Sequence, residues 1–463
     1  MTALNNCKYL SPLPFKWSFS KEYYKSSLNV LETALCQIAA YEKWRAFDPG
    51  REHSVDARYS AMPTLTKMDI RAYFPQGFLP RDRGVNQGLA SGEIEFVKTS
   101  GTVGDSVTNI WNQEWWNASE RASWKLNSHA YRAATGSHRE AILTNPLCVG
   151  FVSDVELSFE KRRLSRFLFL NEKTDPLSWT AQHMDRMIRE LELFRPSVLE
   201  ANPSFLARLC RYTTACGKRV FQPDLIVFTY EYPTNFHLRQ VRRVFNSPVA
   251  SSYGTTETGY VFMQCEAGKF HQNSEFCRVD LQPFKPEYCG PLLGRILVTT
   301  FNNPWYYMVR FDVGDLVRVD EQRSCPCGRN SGMILSAIEG RVKCLTLTCD
   351  GRPVTLRELD NALSVLEGVD EYQLLQTSGN AYRLRLVSQR MDKDRLGREA
   401  KEVLRKLYGA EAVPLIVFET AIAPEPSGKY VLARTLFPVD VEKFLDERYS
   451  YGNIGQGKRI ENE

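Results

Sequence analysis

Two short turns in the sequence place hydroxyls, backbone amides and a carboxylate where a phosphorylated ligand could be held. Thr99-Ser100-Gly101-Thr102-Val103-Gly104 directly follows a short strand predicted over Glu95–Lys98. Its small residues let the main chain approach a ligand, and its clustered N–H and hydroxyl groups can donate to phosphate oxygens. Ordinary surface turns share that composition, so the run decides little alone. The second, Ser252-Tyr253-Gly254-Thr255-Thr256-Glu257, follows a strand-like Pro248-Val249-Ala250 and ends in an acid. Such a carboxylate suits Mg²⁺, which keeps several waters and takes one or two carboxylates beside substrate phosphates; it would equally serve as a capping acid at a helix start. In Val309-Arg310-Phe311-Asp312-Val313-Gly314-Asp315, alternating apolar residues precede a Gly-Asp turn whose acid could accept from both hydroxyls of a ribose or merely close the turn. Ile338-Glu339-Gly340-Arg341-Val342-Lys343 lies where the chain changes character. Pro426-Ser427-Gly428-Lys429 sets a lysine in a late loop, where lysine is usually a solvated charge.

Side chains this far apart need a large frame to bring them together. The chain has 463 residues, 43% of them hydrophobic, enough for two or three packed units. A net charge of +5 is small against 59 basic and 54 acidic residues, which argues against a nucleic-acid protein. No apolar run approaches bilayer length and the N-terminus lacks a leader pattern, so a cytoplasmic enzyme without a membrane partner is the default. The twelve cysteines are scattered as in a reduced intracellular chain. Apolar spacing (Leu28, Leu31, Leu35, Ile38) predicts a helix over Lys21–Phe47, and Pro63–Gly92 reads as a loop. Helices over Thr180–Phe194 and Ser204–Cys216 and a buried strand over Asp224–Phe228 predict a mixed α/β sheet. Beyond Gly340, strands over Glu371–Leu375, Tyr382–Val387 and Pro414–Glu419 with a charged helix over Lys393–Leu407 predict a small α+β domain, and the tail after Tyr449 is polar.

Five stretches in this order, T-S-G-T-V-G, Y-G-T-T-E, R-F-D-V-G-D, G-R-V-K and S-G-K, resemble the signature of the adenylate-forming superfamily of acyl-CoA synthetases, peptide-synthetase adenylation domains and luciferases. Cys325-Pro326-Cys327-Gly328-Arg329 and the helix start Asn202-Pro203-Ser204 are similar to the phenylacetate-CoA ligase branch. The resemblance spans roughly Glu95 to Arg434; the first ninety residues carry no matching motif. It implies a large mixed α/β N-terminal domain (1–340) binding ATP and the acyl substrate, and a small mobile α+β C-terminal domain (341–463). It further implies that Thr99, Ser100, Gly101, Thr102 and Gly104 form the pyrophosphate loop and that Glu231 lies beside the adenine. Ser252, Tyr253, Gly254, Thr255 and Thr256 would line the nucleotide, Glu257 would hold Mg²⁺, Asp315 the ribose, and Arg341 the nucleotide from the domain junction. Lys343 would be the hinge and Lys429 the catalytic lysine. Asp105 stands where relatives often have lysine, Tyr230 and Tyr232 flank Glu231 where small residues are common, and Cys344 follows Lys343 in place of a frequent acid.

The implied chemistry is attack of a carboxylate on the α-phosphorus of ATP, with pyrophosphate leaving, followed by transfer of the acyl group to a thiol. Coenzyme A is the first expectation. A carrier-protein thiol, or an amine in a secondary-metabolite pathway, remains open as acceptor, as does a nucleotide-binding scaffold without activity, and the resemblance leaves room for a homodimer. Tyr230, Tyr232, Tyr253 and Tyr260 lie in or beside the motifs that would border the acyl pocket, which points to a flat aromatic acid. Cys265, His271, Cys325 and Cys327 offer two ligands from each of two loops, a Cys₃His set for structural zinc, with four unrelated residues as the alternative.

Overall fold

The computed structural model describes residues 17–99, 106–134, 136–151, 153–425 and 428–449. Ser100, Gly101, Thr102, Gly104 and Asp105 of the expected pyrophosphate loop, Ser427, and the polar tail after Tyr449 lie outside the described residues.

The frame is a twelve-stranded sheet with two halves of different pairing. In one half, Glu140–Leu143, Phe167–Phe169, Val198–Ala201, Leu225–Phe228 and Val249–Thr255 run parallel. Three of these strands, Glu140–Leu143, Val198–Ala201 and Leu225–Phe228, are buried at every residue, as expected for parallel strands covered on both faces. The helices Ala181–Phe194, Pro203–Ala215 and Asn235–Arg242 make the connections and bury Met187, Leu191, Phe205, Leu209 and Val241 against one face. In the other half, Gly259–Gln264, Phe270–Gln272, Ile334–Arg341, Phe311–Val319, Leu293–Thr300 and Cys277–Pro283 follow with antiparallel pairing. Val249–Thr255 belongs to both: it is parallel to Leu225–Phe228 on one edge and antiparallel to Gly259–Gln264 on the other.

The N-terminal segment packs on the antiparallel half, where Leu31, Ala34, Tyr41, Tyr59 and Ile70 join one core with Ile296, Val298 and Phe311. The helix expected over Lys21–Phe47 is α-helical only over Lys21–Gln37 and continues as a 3₁₀ turn over Ala39–Phe47, because Ile38 is extended (φ −106°, ψ 119°). Leu28 is exposed rather than part of the core face. The stretch Pro63–Gly92 is not a plain loop. It holds the helices Lys67–Tyr73 and Val85–Ala90, the first started by a capping box in which Thr66 and Asp69 bond each other's backbone.

A second, four-stranded sheet runs in the order Val413–Glu419, Ala381–Ser388, Val369–Gln376 and Ala433–Thr435, packed with the helices Leu356–Leu363 and Lys393–Tyr408. All four predicted elements here lie within two residues of their observed ends. The connection from the large sheet is tight. Gly340 has φ +101°, and a Cβ there would stand 2.7 Å from the Leu356 Cβ, so a glycine is needed where the strand Ile334–Arg341 meets the small unit. Among the described residues no helix is long and apolar enough to cross a membrane.

Candidate active site

Glu257 lies in the turn that links the shared strand to Gly259–Gln264, closed by the Thr258 N–H donating to Thr255 O (3.1 Å) and by a hydroxyl contact between the same two residues (2.9 Å). Its carboxylate is only 5% exposed, and Lys67 Nζ stands 4.0 Å away. Gly254 cannot carry a side chain, since a Cβ would lie 2.3 Å from Gly259 O. The buried Ser252 hydroxyl has no hydrogen-bond partner among the described residues, so a ligand's oxygen could accept from it.

Asp315 was expected in a turn but sits inside the strand Phe311–Val319, opposite Arg341 in register. Gly314, at a positive φ of +77°, lies in a bulge: residues 313–315 have no partner on the strand Leu293–Thr300, and the pairing to Ile334–Arg341 begins at Asp315. Tyr253 donates its hydroxyl to Asp315 Oδ2 (2.8 Å), and Arg341 Nε lies 3.5 Å from Oδ1. The Asp315 charge, foremost, holds the Arg341 guanidinium above its ordinary pKa. Burial, and then the neighbouring Asp315, raises that of Tyr253.

The small unit closes over this group. Glu231 accepts from Ser204 Oγ (2.6 Å) and from the Tyr430 backbone N–H (2.9 Å), so the residue after Lys429 is fastened to the large sheet. Burial raises the Glu231 pKa above the usual carboxylate value, with these two donors opposing. Gly428 has φ +76° and lies against Asn145, whose side chain fills the place of a Cβ. Lys429 is thereby brought into electrostatic range of Glu231, Glu257 and Arg341; burial, foremost, lowers its pKa. Lys343 is exposed in the 3₁₀ turn Val342–Cys344, between the large sheet and the small unit. Thr99 is half-buried: its hydroxyl accepts from the Val107 N–H (3.0 Å) and its carbonyl from Ser106 Oγ (2.9 Å), which clasps the two ends of the loop.

The tyrosines separate. Tyr260 stands against Trp116 (ring centroids 5.0 Å apart), which packs on Trp111 at 4.1 Å. Tyr232 instead packs on the core of the small unit, so it does not join the others at a pocket wall. A buried acidic group unflagged in sequence lies beneath: Tyr260 donates to Glu120 Oε1 (2.8 Å), Tyr230 donates to Glu200, and Glu140 is met by His138 (3.2 Å) and Arg166 (2.9 Å). Burial and then the Glu140 charge push the Glu120 carboxyl up to about 7. These acids come from a helix and two strands distant in sequence, and no spacing rule links them.

Apart from this site, Cys265, His271, Cys325 and Cys327 converge, with all four ligand atoms within 4.8 Å of one another. The Cys265–Cys325 sulfur separation is 3.6 Å and Cys327 Sγ lies 3.4 Å from His271 Nε2.

No family model matches the chain, and no curated protein matches it. Solved structures do. Over 94% of this chain and 95% of the other, it superposes on 2-hydroxyisobutyryl-CoA ligase in the postadenylation state in complex with R3-HIB-AMP, with TM-score 0.68 and 16% identity. The same ligase in the postadenylation state with 2-HIB-AMP gives TM-score 0.67 at 16% identity, over 90% and 91% of the two chains. With 2-HIB-AMP and CoA in the thioesterification state the TM-score is 0.53 at 17% identity, over 90% and 92%.

The Glu120 carboxyl makes stability fall with pH. Its folded pKa exceeds the unfolded value, so the folded chain binds the extra proton between roughly pH 4.5 and 7, and that contribution is lost as pH rises through this window. Glu120→Gln keeps an acceptor for Tyr260 and removes the titration. The fall in Tm between pH 5 and 8 should shrink in this variant; an unchanged slope would show that Glu120 titrates normally. In its mixed sheet and small α+β unit, the chain shares the fold of 2-hydroxyisobutyryl-CoA ligase.

Proposed function

We propose that the chain activates a carboxylic acid as an acyl adenylate and passes the acyl group to a thiol, coenzyme A in the first instance. The observation that carries this reading is the meeting of Lys429, Glu231, Glu257 and the Asp315–Arg341 pair at one place, although they span almost two hundred residues of sequence. A carboxylate oxygen attacks the α-phosphorus, the new C–O–P linkage forms, and the bond to the β-phosphate breaks as pyrophosphate leaves. Such transfer is governed by positioning and charge neutralisation. Lys429 supplies charge to the crowded oxygens, Asp315 accepts from the ribose hydroxyls with Tyr253 and Arg341 fixing it, and Ser252 offers a buried hydroxyl. Glu257 would hold Mg²⁺ from the turn at the end of the strand Val249–Thr255, and the ion would neutralise phosphate oxygens. Glu231, bonded to Ser204 and the Tyr430 N–H, acts here by seating the Lys429 loop as well as bordering the base.

Residues 1–340 form the adenylating unit and 341–463 a unit that turns about Lys343 between half-reactions. Better superposition on the postadenylation state than on the thioesterification state, of the same ligase, supports an adenylation-type arrangement with Lys429 inserted. Trp111, Trp116 and Tyr260 support an aromatic acid as substrate. Cys265, His271, Cys325 and Cys327 would hold a structural zinc: three thiols and an imidazole are the donor set zinc takes, and their ligand atoms lie within 4.8 Å of one another.

Acid-dependent ATP–pyrophosphate exchange over a panel of aromatic and aliphatic acids tests the activity, with mass spectrometry of products made with coenzyme A or amines. Lys429→Ala should lower exchange by about 10²–10³-fold with Tm unchanged; full exchange in a folded variant removes the lysine from the chemistry. Lys343→Pro stiffens the pivot without touching the loops. It should retain exchange and lose product, and parallel loss of both would mean a general defect. Purified protein should carry close to one zinc, lost in Cys325→Ser along with part of the Tm; protein prepared without chelator and free of zinc would contradict the assignment.

A further inference from the structure

Between the helices that connect the parallel strands and the small unit lies a groove of about 520 Å³, a size that holds small metabolites. Arg208 and Arg211, three residues apart on one face of the helix Pro203–Ala215, line it together with Gln240 and Arg243 at the end of Asn235–Arg242. The small unit supplies Asp370 and Glu371 from the strand Val369–Gln376. The polar groups of these walls are incompletely matched. Arg211 pairs with one oxygen of Glu371, whose other oxygen, Oε2, is buried without a hydrogen-bond partner among the described residues. Gln240 is only 4% exposed and donates Nε2 to Asp370 O (2.8 Å), which leaves its Oε1 buried and unbonded. Arg208 has neither a hydrogen bond nor an ion pair among the described residues, and its Nε is cut off from solvent.

A guanidinium in that position is costly. Burial, foremost, and then the like charge of Arg211 lower the Arg208 pKa. An arginine kept for packing alone would carry its charge out to water or to a carboxylate, whereas Arg208 is half-buried in the space between two units. A salt link between the units is the competing role, and Arg211 already fills it through Glu371. Three arginines meet two acids along the groove, so one positive charge is left over. The Nε and Nη of a guanidinium form a fork that fits two oxygens of a carboxylate or phosphate. Gln240 Oε1 and Glu371 Oε2 call for an N–H or O–H on the same molecule.

We propose that this groove binds a small oxyanion, a phosphate ester or a carboxylate that also bears a hydrogen-bond donor, held by the Arg208 guanidinium. Its walls come from both units, so an occupant ties them in the arrangement seen here. The site does not depend on the adenylation reading. Thermal denaturation of the full chain in inorganic phosphate and in citrate, against chloride at matched ionic strength, reads it. One or both anions should raise the Tm of the wild type, phosphate alone assigning a phosphate ester and citrate alone a carboxylate. Arg208→Gln should weaken binding of the effective anion by roughly 10- to 100-fold, the effect of a lost charge-assisted contact. The Tm of this variant in chloride should hold or rise, since no partner is lost. An equal anion shift in wild type and variant places the anion elsewhere, no shift with either anion leaves the groove without a ligand of this class, and a lower Tm of the variant in chloride makes the arginine structural; each overturns the inference. Phenylglyoxal labelling of the wild type needs no variant: the effective anion should slow modification of Arg208, and an unchanged rate overturns the inference.

Discussion

One strand, Val249–Thr255, has to satisfy two kinds of neighbour, and the site exists because it does. Its edge toward Leu225–Phe228 is parallel and its edge toward Gly259–Gln264 is antiparallel. A parallel neighbour demands a long crossover, here the helix Asn235–Arg242, whereas an antiparallel one is reached by a tight turn. The carboxyl end of the strand therefore opens between a layer of helices and a return hairpin, and Glu257 sits in the turn. Ligand sites in open α/β sheets gather at such carboxyl ends. Gly254 is what permits the hairpin to close so tightly, because any side chain would strike Gly259 O.

From that opening, the small unit is located by few polar contacts on an apolar base. Phe236 of the crossover helix joins the core of the small unit beside Tyr372, the Asn235 N–H donates to Asp360 Oδ2 (2.9 Å), and Gln240 Nε2 donates to Asp370 O (2.8 Å). The Glu231–Tyr430 bond then fixes the lysine loop. Arg211 of the helix Pro203–Ala215 adds an ion pair to Glu371, and an interface of scattered polar contacts such as these can be exchanged for another at modest cost, which suits the rotation proposed for this unit.

Strong periodicity and turn chemistry made much of this architecture readable from residues alone. Lys393–Tyr408, Ala181–Phe194 and the strands of the small unit have their apolar spacing undisturbed, and their ends carry ordinary caps such as Thr180 and Asp392. Tertiary contacts defeated the reading elsewhere. Asp315 looked like a turn residue because Gly314 precedes it, but cross-strand pairing with Arg341 keeps the chain extended. Pro63–Gly92 looked like a loop because Pro, Arg and Gly dominate, while a capping box starts a helix there all the same. The four zinc-type ligands were legible as two close pairs, and the geometry brings them together. Asn145 and the acids Glu120, Glu140 and Glu200 gave no local signal, since the assembled sheet brings Asn145 to Gly428, Glu120 to Tyr260, Glu140 to Arg166 and Glu200 to Tyr230. A carboxyl whose pKa is raised by burial and by a neighbouring acid has no sequence spacing to betray it.

The central claim is that a carboxylate oxygen of the substrate becomes bonded to the α-phosphorus of ATP. The most direct measurement supplies the acid that best supports pyrophosphate exchange with both carboxyl oxygens as ¹⁸O, adds ATP, Mg²⁺ and coenzyme A, and weighs the nucleotide released. One ¹⁸O should appear in AMP, with none in pyrophosphate. Label recovered in inorganic phosphate beside ADP, or AMP released without label, would contradict acyl-adenylate formation.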